Sequence, residues 1–139
     1  MVAHRPDILA RLAEKGARLR EVRASLLRQT PGTTQRWFQG PDGCDLFLWY
    51  DAGKGLTQLQ LTLEHRAVEW SREGGVNTAR LASFNPLTPH DDQARLLPDR
   101  VPDEETLELA RALLSRASVD DVTLALVQQA LGLRRAGRP

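Results

Sequence analysis

The chain has little of what disulfide-stabilised proteins and many enzymes depend on. Its 139 residues include one cysteine, three histidines and one methionine, and only 5% are aromatic. A single cysteine excludes an internal disulfide, and an unpaired thiol is typical of the reducing cytoplasm. His4, His65 and His90 stand in a predicted terminus, turn and loop respectively. The sequence therefore predicts no catalytic residue, no metal site and no cofactor, and it favours a function other than catalysis.

The chain also has no long apolar run. The longest uncharged stretch in its later part, from Val122 to Leu133, has twelve residues, whereas a transmembrane helix takes about 20. No apolar stretch of the signal-peptide kind follows the first residues. Basic and acidic residues balance almost completely, with 19 Lys or Arg, 18 Asp or Glu and a net charge of +1. We expect a cytoplasmic protein that does not bind membranes, and the balance disfavours a dedicated nucleic-acid coat protein.

The apolar pattern that is present predicts a single α+β domain over residues 1–139. Its expected elements are an N-terminal helix over 6–29, a five-stranded antiparallel β-meander over 33–83, an irregular proline-rich loop over 84–102, a C-terminal helical hairpin over 103–131 and a tail over 132–139. Apolar residues mark the first helix at spacings of three and four or their sum: Leu9, Leu12, Leu19, Val22 and Leu26. Gly16 lies on the same stripe and would allow a neighbouring element to approach closely.

Glycine-containing turns divide the meander into strands expected at 33–39, 44–51, 56–64, 67–72 and 77–83. The turn lengths predict the registers, which pair Trp37 with Leu46 and Trp70 with Ala79. Residues that are opposite each other on neighbouring strands share a face of the sheet. One apolar face is therefore predicted to contain Trp37, Leu46, Leu48, Leu59, Leu61, Leu63, Val68, Trp70, Ala79 and Leu81.

The opposite face is predicted to be polar except at one aromatic corner, which is formed by Phe38, Phe47 and Trp49, with Arg36 opposite Phe47. Burying an aromatic side chain stabilises a protein by about 1.5–3 kcal/mol, so three exposed rings predict that something covers them. A helix of the same chain, a partner protein or second subunit, and a small ligand or nucleic acid remain alternatives. The candidate binding residues are Arg36, Phe38, Phe47, Trp49, Gln58 and Gln60.

The leading hypothesis is a non-catalytic cytoplasmic binding or regulatory protein that acts through protein–protein contacts on this face, with a homodimer as one form of contact. A second hypothesis is a small ligand-binding protein or enzyme that uses the 84–102 loop as a lid, with His90 and Asp91 as its polar groups. The third is a binder of single-stranded nucleic acid, because aromatic and arginine side chains on a sheet can stack bases. Acidic residues on the same predicted face would repel phosphate and disfavour the third: Asp45, Asp51, Glu64 and Glu69.

One sequence pattern within the meander resembles that of a known group of proteins. Gln35-Arg-Trp-Phe, Asp45-Leu-Phe-Leu-Trp-Tyr-Asp51, Gln58-Leu-Gln-Leu and Glu69-Trp70 resemble the WF…DLFxW…QL…EW sheet pattern of small uncharacterised bacterial proteins. The likeness covers about residues 35–81, and it departs at Leu-Gln-Leu, where an aromatic residue is expected. The resemblance implies the meander, and it implies no activity, cofactor or catalytic residue.

Overall fold

The computed structural model describes residues 5–27, 31–81 and 96–133. Within these ranges it confirms the α+β class, with three α-helices and one antiparallel sheet whose seven strands follow their order in the chain. The elements are α1 Arg5–Ala17, β1 Arg20–Glu21, β2 Thr33–Gln39, β3 Asp45–Asp51, β4 Leu56–Leu63, β5 Arg66–Ser71, β6 Gly75–Leu81, β7 Leu96–Pro98, α2 Glu104–Leu114 and α3 Asp121–Ala130. Short 3-10 turns occur at Ala24–Leu26 and Pro41–Gly43.

The predicted count of five strands is wrong, because two short strands extend the sheet at its edges. The helix predicted over 6–29 ends at Ala17, and Leu19 then turns into the core with 2% of its surface exposed. Arg20 and Glu21 pair with the end of β2 as β1, so strand pairing overrides a helical pattern of apolar residues. The other edge strand, β7, lies in the segment that was predicted to be an irregular loop.

The predicted C-terminal helical hairpin is also wrong in its packing. Both helices form, but α2 packs chiefly against α1 and only at a few points against α3. Gly16 makes the α1–α2 approach possible, since a Cβ atom at this position would lie 1.8 Å from the carbonyl oxygen of Leu113. The Ser118 amide between α2 and α3 donates to the Gly16 carbonyl at 3.0 Å.

The first hairpin differs from its predicted register by one residue. Trp37 is opposite Phe47 and Phe38 is opposite Leu46, whereas the turn length predicted Trp37 opposite Leu46. The connection is longer than a four-residue turn because Pro41–Gly43 forms a 3-10 turn with Asp42 in the left-handed region at φ 55°. A shift of one residue moves every side chain of β2 to the other face.

The next two hairpins keep the predicted faces. Leu48 is opposite Leu59 as predicted, and a register irregularity follows between Trp49 and Tyr50. Leu63 is opposite Arg66 rather than Val68, a shift of two residues that leaves each side chain on its predicted face.

The last predicted hairpin is wrong by three residues, which reverses its faces. Trp70 is opposite Val76, not Ala79, because Gly75 already pairs with Ser71 at φ 73°. The two tryptophans that were predicted to share a face, Trp37 and Trp70, therefore lie on opposite sides of the sheet. The single apolar face is wrong for Trp37 and Ala79, and it is correct for Leu46, Leu48, Leu59, Leu61, Leu63, Val68 and Trp70.

The face that carries these seven residues is called the inner face here, because the helices pack on it. Its central leucines are buried together with side chains from α1, α2 and α3: Leu46, Leu48, Leu59, Leu61, Leu12, Leu113, Leu114 and Val127. Each such burial contributes about 1.5–3 kcal/mol. The opposite side of the sheet is called the outer face. In the described ranges the longest helix, α1, has 13 residues, and none of the helices has the length and apolar character that crossing a bilayer requires.

Candidate functional site on the outer face

Three aromatic rings stack in a row on the outer face of β2 and β3. The rings of Trp37 and Phe47 lie on neighbouring strands with their centroids 5.4 Å apart and their planes 18° from parallel. Phe47 and Trp49, two residues apart on β3, follow at 6.0 Å and 22°. This offset-stacked geometry is a favourable one for aromatic pairs and contributes about 0.5–1.5 kcal/mol per pair beyond burial. The three residues are half-buried and are called the aromatic ladder below.

Amide side chains surround the aromatic ladder. Gln60 is opposite Phe47 on β4, and Gln58 and Gln35 are opposite Trp49 on its two sides. Gln58 is exposed and the other two are half-buried. The open part of the outer face thus combines an apolar centre with neutral hydrogen-bonding groups at its border, which is the composition of many protein contact surfaces.

Asp45 fixes the orientation of one end of the ladder. The indole Nε1–H of Trp37 donates to Asp45 Oδ1 at 3.2 Å, and the backbone N–H of Asp45 donates to Thr62 Oγ1 at 2.9 Å. Burial raises the pKa of the Asp45 carboxyl, and the hydrogen bond from Trp37 only partly opposes that rise. The Trp37 ring is consequently held in place by a carboxylate that is itself partly desolvated.

No helix of the described ranges lies over the ladder, because all three belong to the inner side. Leu12 of α1, Leu113 of α2 and Val127 of α3 all pack into the inner core. Across the sheet on β5 and β6, Ala67 and Ala79 share the outer face and are fully buried. On β2, β3 and β4, by contrast, the ladder rings are half-buried and Gln58 is exposed; this portion is called the open part of the outer face.

Two of the six predicted binding residues are on the wrong side for this site. Phe38 is 3% exposed and packs opposite Leu46 in the core. The guanidinium carbon of Arg36 lies 4.9 Å from the centroid of the Phe38 ring. The structure brings together Phe47, Trp49, Gln58 and Gln60, and it adds Trp37 and Gln35, which the predicted register placed on the other face.

Arg36 instead connects the inner face to α3. Its guanidinium donates to Glu21 at 2.7 and 2.9 Å, to Thr123 Oγ1 at 2.9 Å and to Asp120 Oδ1 at 3.1 Å. Its hydrogen bonds, first of all with Glu21, raise the Arg36 pKa further above its ordinary value. This residue is fully occupied inside the protein and is not available to a partner on the outer face.

A second polar region lies at the rim of the inner face, beside the start of α2. An open cavity of about 630 Å³ is lined by Arg66, Arg80, Asp99, Arg100, Val101, Pro102, Asp103, Glu104 and Glu105. Arg66 and Arg80 are directly opposite each other on β5 and β6, an arrangement of like charges that is unfavourable without anions nearby. Asp103 and Glu105 neutralise Arg66 at 3.1 and 3.4 Å, whereas among the described residues Arg80 pairs with Asp99 alone, at 3.7 Å.

The remaining predicted chemical groups form no site in the described residues. His90 and Asp91 lie outside them, as does most of the 84–102 loop. Across 5–27, 31–81 and 96–133, no group of three or more His, Cys, Asp or Glu side chains could hold a metal ion. Cys44 is fully buried, and burial raises the pKa of its thiol to about 11, so the reactive thiolate form is disfavoured at neutral pH.

Comparison of the chain with protein-family models, with curated proteins and with solved structures gives no match. The function has to be inferred from the residues of the chain itself.

Proposed function

We propose that this is a non-catalytic binding protein that contacts a partner protein through the open outer face of β2, β3 and β4. The aromatic ladder carries the proposal, because three stacked rings lie on a face that no described helix covers. Tryptophan and phenylalanine are enriched in protein interfaces and dominate their binding energy when they are fully desolvated there. A cytoplasmic location, inferred from the unpaired Cys44, is part of the proposal.

The chemistry of this face suits a protein surface better than single-stranded nucleic acid. The ring of Phe47 is stacked on both sides, against Trp37 and Trp49, so its faces are already occupied and offer a base no stacking platform. Asp45 and Glu69 share this face, and their carboxylates would repel phosphates. Gln58 and Gln60 can both donate and accept hydrogen bonds, as backbone groups of a partner require.

Site-specific cross-linking identifies such a partner and locates the contact. A photoreactive residue replaces Phe47 in one variant and Leu97, which is 52% exposed on the other face, in the control. We expect a discrete cross-linked protein from position 47 and not from position 97. Cross-linking from position 97 alone would contradict the proposal.

Affinity measurements with the purified partner complete the test. Trp49→Ala should weaken binding by a factor of about 10 or more, as for an interface residue of this kind, while Leu97→Ala stays within about twofold of the wild type. Circular dichroism checks that both variants remain folded. Equal affinity of the two variants would refute a contact through the ladder.

A second candidate function is supported by the cavity beside α2, which has the size of a small-molecule site. The described part of the predicted loop lines it. Among the described residues Arg100 forms no ion pair, and the ion pair of Arg80 with Asp99, at 3.7 Å, is a long one. A small phosphate or carboxylate compound matches these two guanidinium groups. Inorganic phosphate and succinate should then raise the thermal midpoint of the wild type and not that of Arg80→Met. The absence of any shift at about 10 mM, a concentration that detects millimolar binding, would rule this candidate out.

A further inference from the structure

Another open cavity, of about 470 Å³, lies where α1 ends and β1 begins. Arg18 and Arg20 supply its charged groups, and Gln39 and Ser118 add an amide and a hydroxyl. None of the described residues that line it is acidic, whereas four carboxylates line the cavity beside α2. This cavity is called the arginine groove below.

The two arginines of the groove are not neutralised within the described ranges. Both are exposed, and neither guanidinium forms an ion pair with a described residue. Four other arginines each have a carboxylate oxygen within 3.1 Å: Arg5, Arg36, Arg66 and Arg72. The carboxylates next to the groove already have partners: Asp42 binds Lys15, Glu21 binds Arg36, and Asp45 accepts from the Trp37 indole. Two neighbouring cations without a counter-charge favour binding of anionic groups from another molecule.

The backbone that carries the two arginines is held in place by packing. Leu19, between them, is 2% exposed. A Cβ atom at Gly40 would lie 2.8 Å from Leu19 Cδ2, so the turn after β2 packs closely against this leucine. On the other side of the groove, the Ser118 amide donates to the Gly16 carbonyl at 3.0 Å. A groove with a fixed backbone loses little conformational freedom when it binds.

The arginine groove continues the outer face that carries the aromatic ladder. Arg20 is opposite Gln39 on β2, and Gln39 is two residues from Trp37 on the same strand, so these three side chains share the outer face. The Cα atoms of Gln39 and Trp37 are therefore about 7 Å apart. Asp45 lies on the other side of Gln39, which limits an acidic contact to the edge at β1. The groove thus forms a basic border of the proposed contact surface.

We propose that the arginine groove binds an acidic segment of the partner protein that covers the aromatic ladder. Each guanidinium can donate two parallel hydrogen bonds to one carboxylate, and the Gln39 amide and Ser118 hydroxyl can donate to further carboxylate oxygens. No aromatic ring is among the described residues that line the groove, so a nucleic acid would find no stacking platform there. The inference rests on the proposed function, because the acidic segment belongs to the same partner.

Fluorescence anisotropy of a labelled oligoglutamate peptide tests the groove on the full chain without the partner. At low ionic strength, where exposed charges are least screened, the wild type should bind this peptide. The double variant Arg18→Met/Arg20→Met should bind it about tenfold more weakly, the effect of losing two exposed charge pairs at the upper end of their strength. All substituted side chains are exposed, and circular dichroism checks that the variants remain folded.

The double variant Arg11→Met/Arg111→Met is the matched control. It removes the same charge from two exposed arginines that do not line the groove, so its affinity should stay within about twofold of the wild type. Three results would overturn the acidic-segment site: no binding of oligoglutamate by the wild type, equal losses in the two double variants, or tighter binding of a single-stranded oligothymidylate of equal charge.

The partner that is cross-linked from position 47 separates this inference from the proposed function. Arg18→Met/Arg20→Met should weaken its binding about tenfold and reduce the salt dependence of its association rate. Unchanged affinity would refute the acidic segment and leave the ladder contact intact. Absence of a cross-linked partner at position 47 would refute the proposed function, and oligoglutamate binding would then still decide whether the groove binds acidic segments.

Discussion

Gly16 lies where α1 crosses α2, and its lack of a side chain permits the crossing. A methyl group there would be placed 1.8 Å from the Leu113 carbonyl oxygen, and a backbone atom cannot move aside as a flexible side chain could. We expect Gly16→Ala to lower the free energy of unfolding by about 3 kcal/mol, at the upper end for overpacking.

Urea denaturation measures this change, with Gly53→Ala as the control. A Cβ atom at Gly53 would meet only the Asp51 carboxylate, at an ordinary 3.5 Å, so this variant should stay within about 0.5 kcal/mol of the wild type. Equal stabilities of the two variants would show that α1 and α2 do not approach this closely.

Asp45 provides a test by pH. Burial raises its pKa in the folded protein above the unfolded value of about 3.9. Ionisation of this carboxyl therefore destabilises the fold. The free energy of unfolding falls as the pH rises from about 4, the unfolded pKa, through the raised pKa of the folded protein. Asp45→Asn keeps an oxygen that can accept the Trp37 hydrogen bond. It should raise the thermal midpoint at pH 7, and the gain should disappear below about pH 4; a variant that is less stable at pH 7 would contradict this account.

Lys15 explains why the turns were hard to predict. Its Nζ binds Glu64 at 2.6 Å and Asp42 at 3.3 Å, and both acidic residues have left-handed backbones, at φ 62° and 55°. Such a conformation costs a residue other than glycine about 1–2 kcal/mol, and a salt bridge to a distant helix can offset this. Turn lengths inferred from glycine and proline positions do not take a contact with α1 into account. The predicted register of the first hairpin is therefore wrong by one residue.

At the scale of elements, α2 and α3 begin in the same way. Asp103 and Asp120 cap the two helices by accepting from the N–H and hydroxyl groups of Thr106 and Thr123. An arginine of the sheet binds each pair: Arg66 at α2 and Arg36 at α3. The sequence places Asp-x-x-Thr-Leu at both helix starts; the predicted hairpin over 103–131 includes both helices, but this shared pattern was not part of the prediction. The attachment of α3 to the inner face through Arg36 depends on the register of β2, and it could not be predicted from the sequence.

Arg36→Met should therefore release α3 more than the rest of the protein. The variant loses hydrogen bonds to Glu21, Asp120 and Thr123, and we expect a loss of about 1–2 kcal/mol after allowance for solvent screening. Hydrogen exchange should become about tenfold faster in α3 and remain unchanged in α1 and α2. Arg80→Met is the control, because Arg80 is 73% exposed with one contact at 3.7 Å. Uniform acceleration in all three helices would contradict the specific attachment.

At the scale of the whole molecule, the division between the two faces decides what the protein presents to a partner. The leucines of β3 and β4 share the inner face as predicted because the second hairpin keeps its predicted register, and a shift of two residues in the third hairpin leaves Val68 and Trp70 of β5 on that face as well. Phe38 and Trp37 exchange faces because one extra turn residue shifts β2. An aromatic site on β3 was thus predictable from Phe47 and Trp49. The third ring, Trp37, joins it only because the register of β2 differs by one residue from the predicted one.

Ring contacts in solution test this account most directly. Nuclear Overhauser effects should connect the rings of Trp37 and Phe47 and the rings of Phe47 and Trp49, and should connect Phe38 with Leu46. No effects should join these ladder rings to side chains of α1, α2 or α3. Effects between Trp37 and Leu46, or between Trp49 and a helix, would show that the ladder is not an open surface and would contradict the proposed binding function.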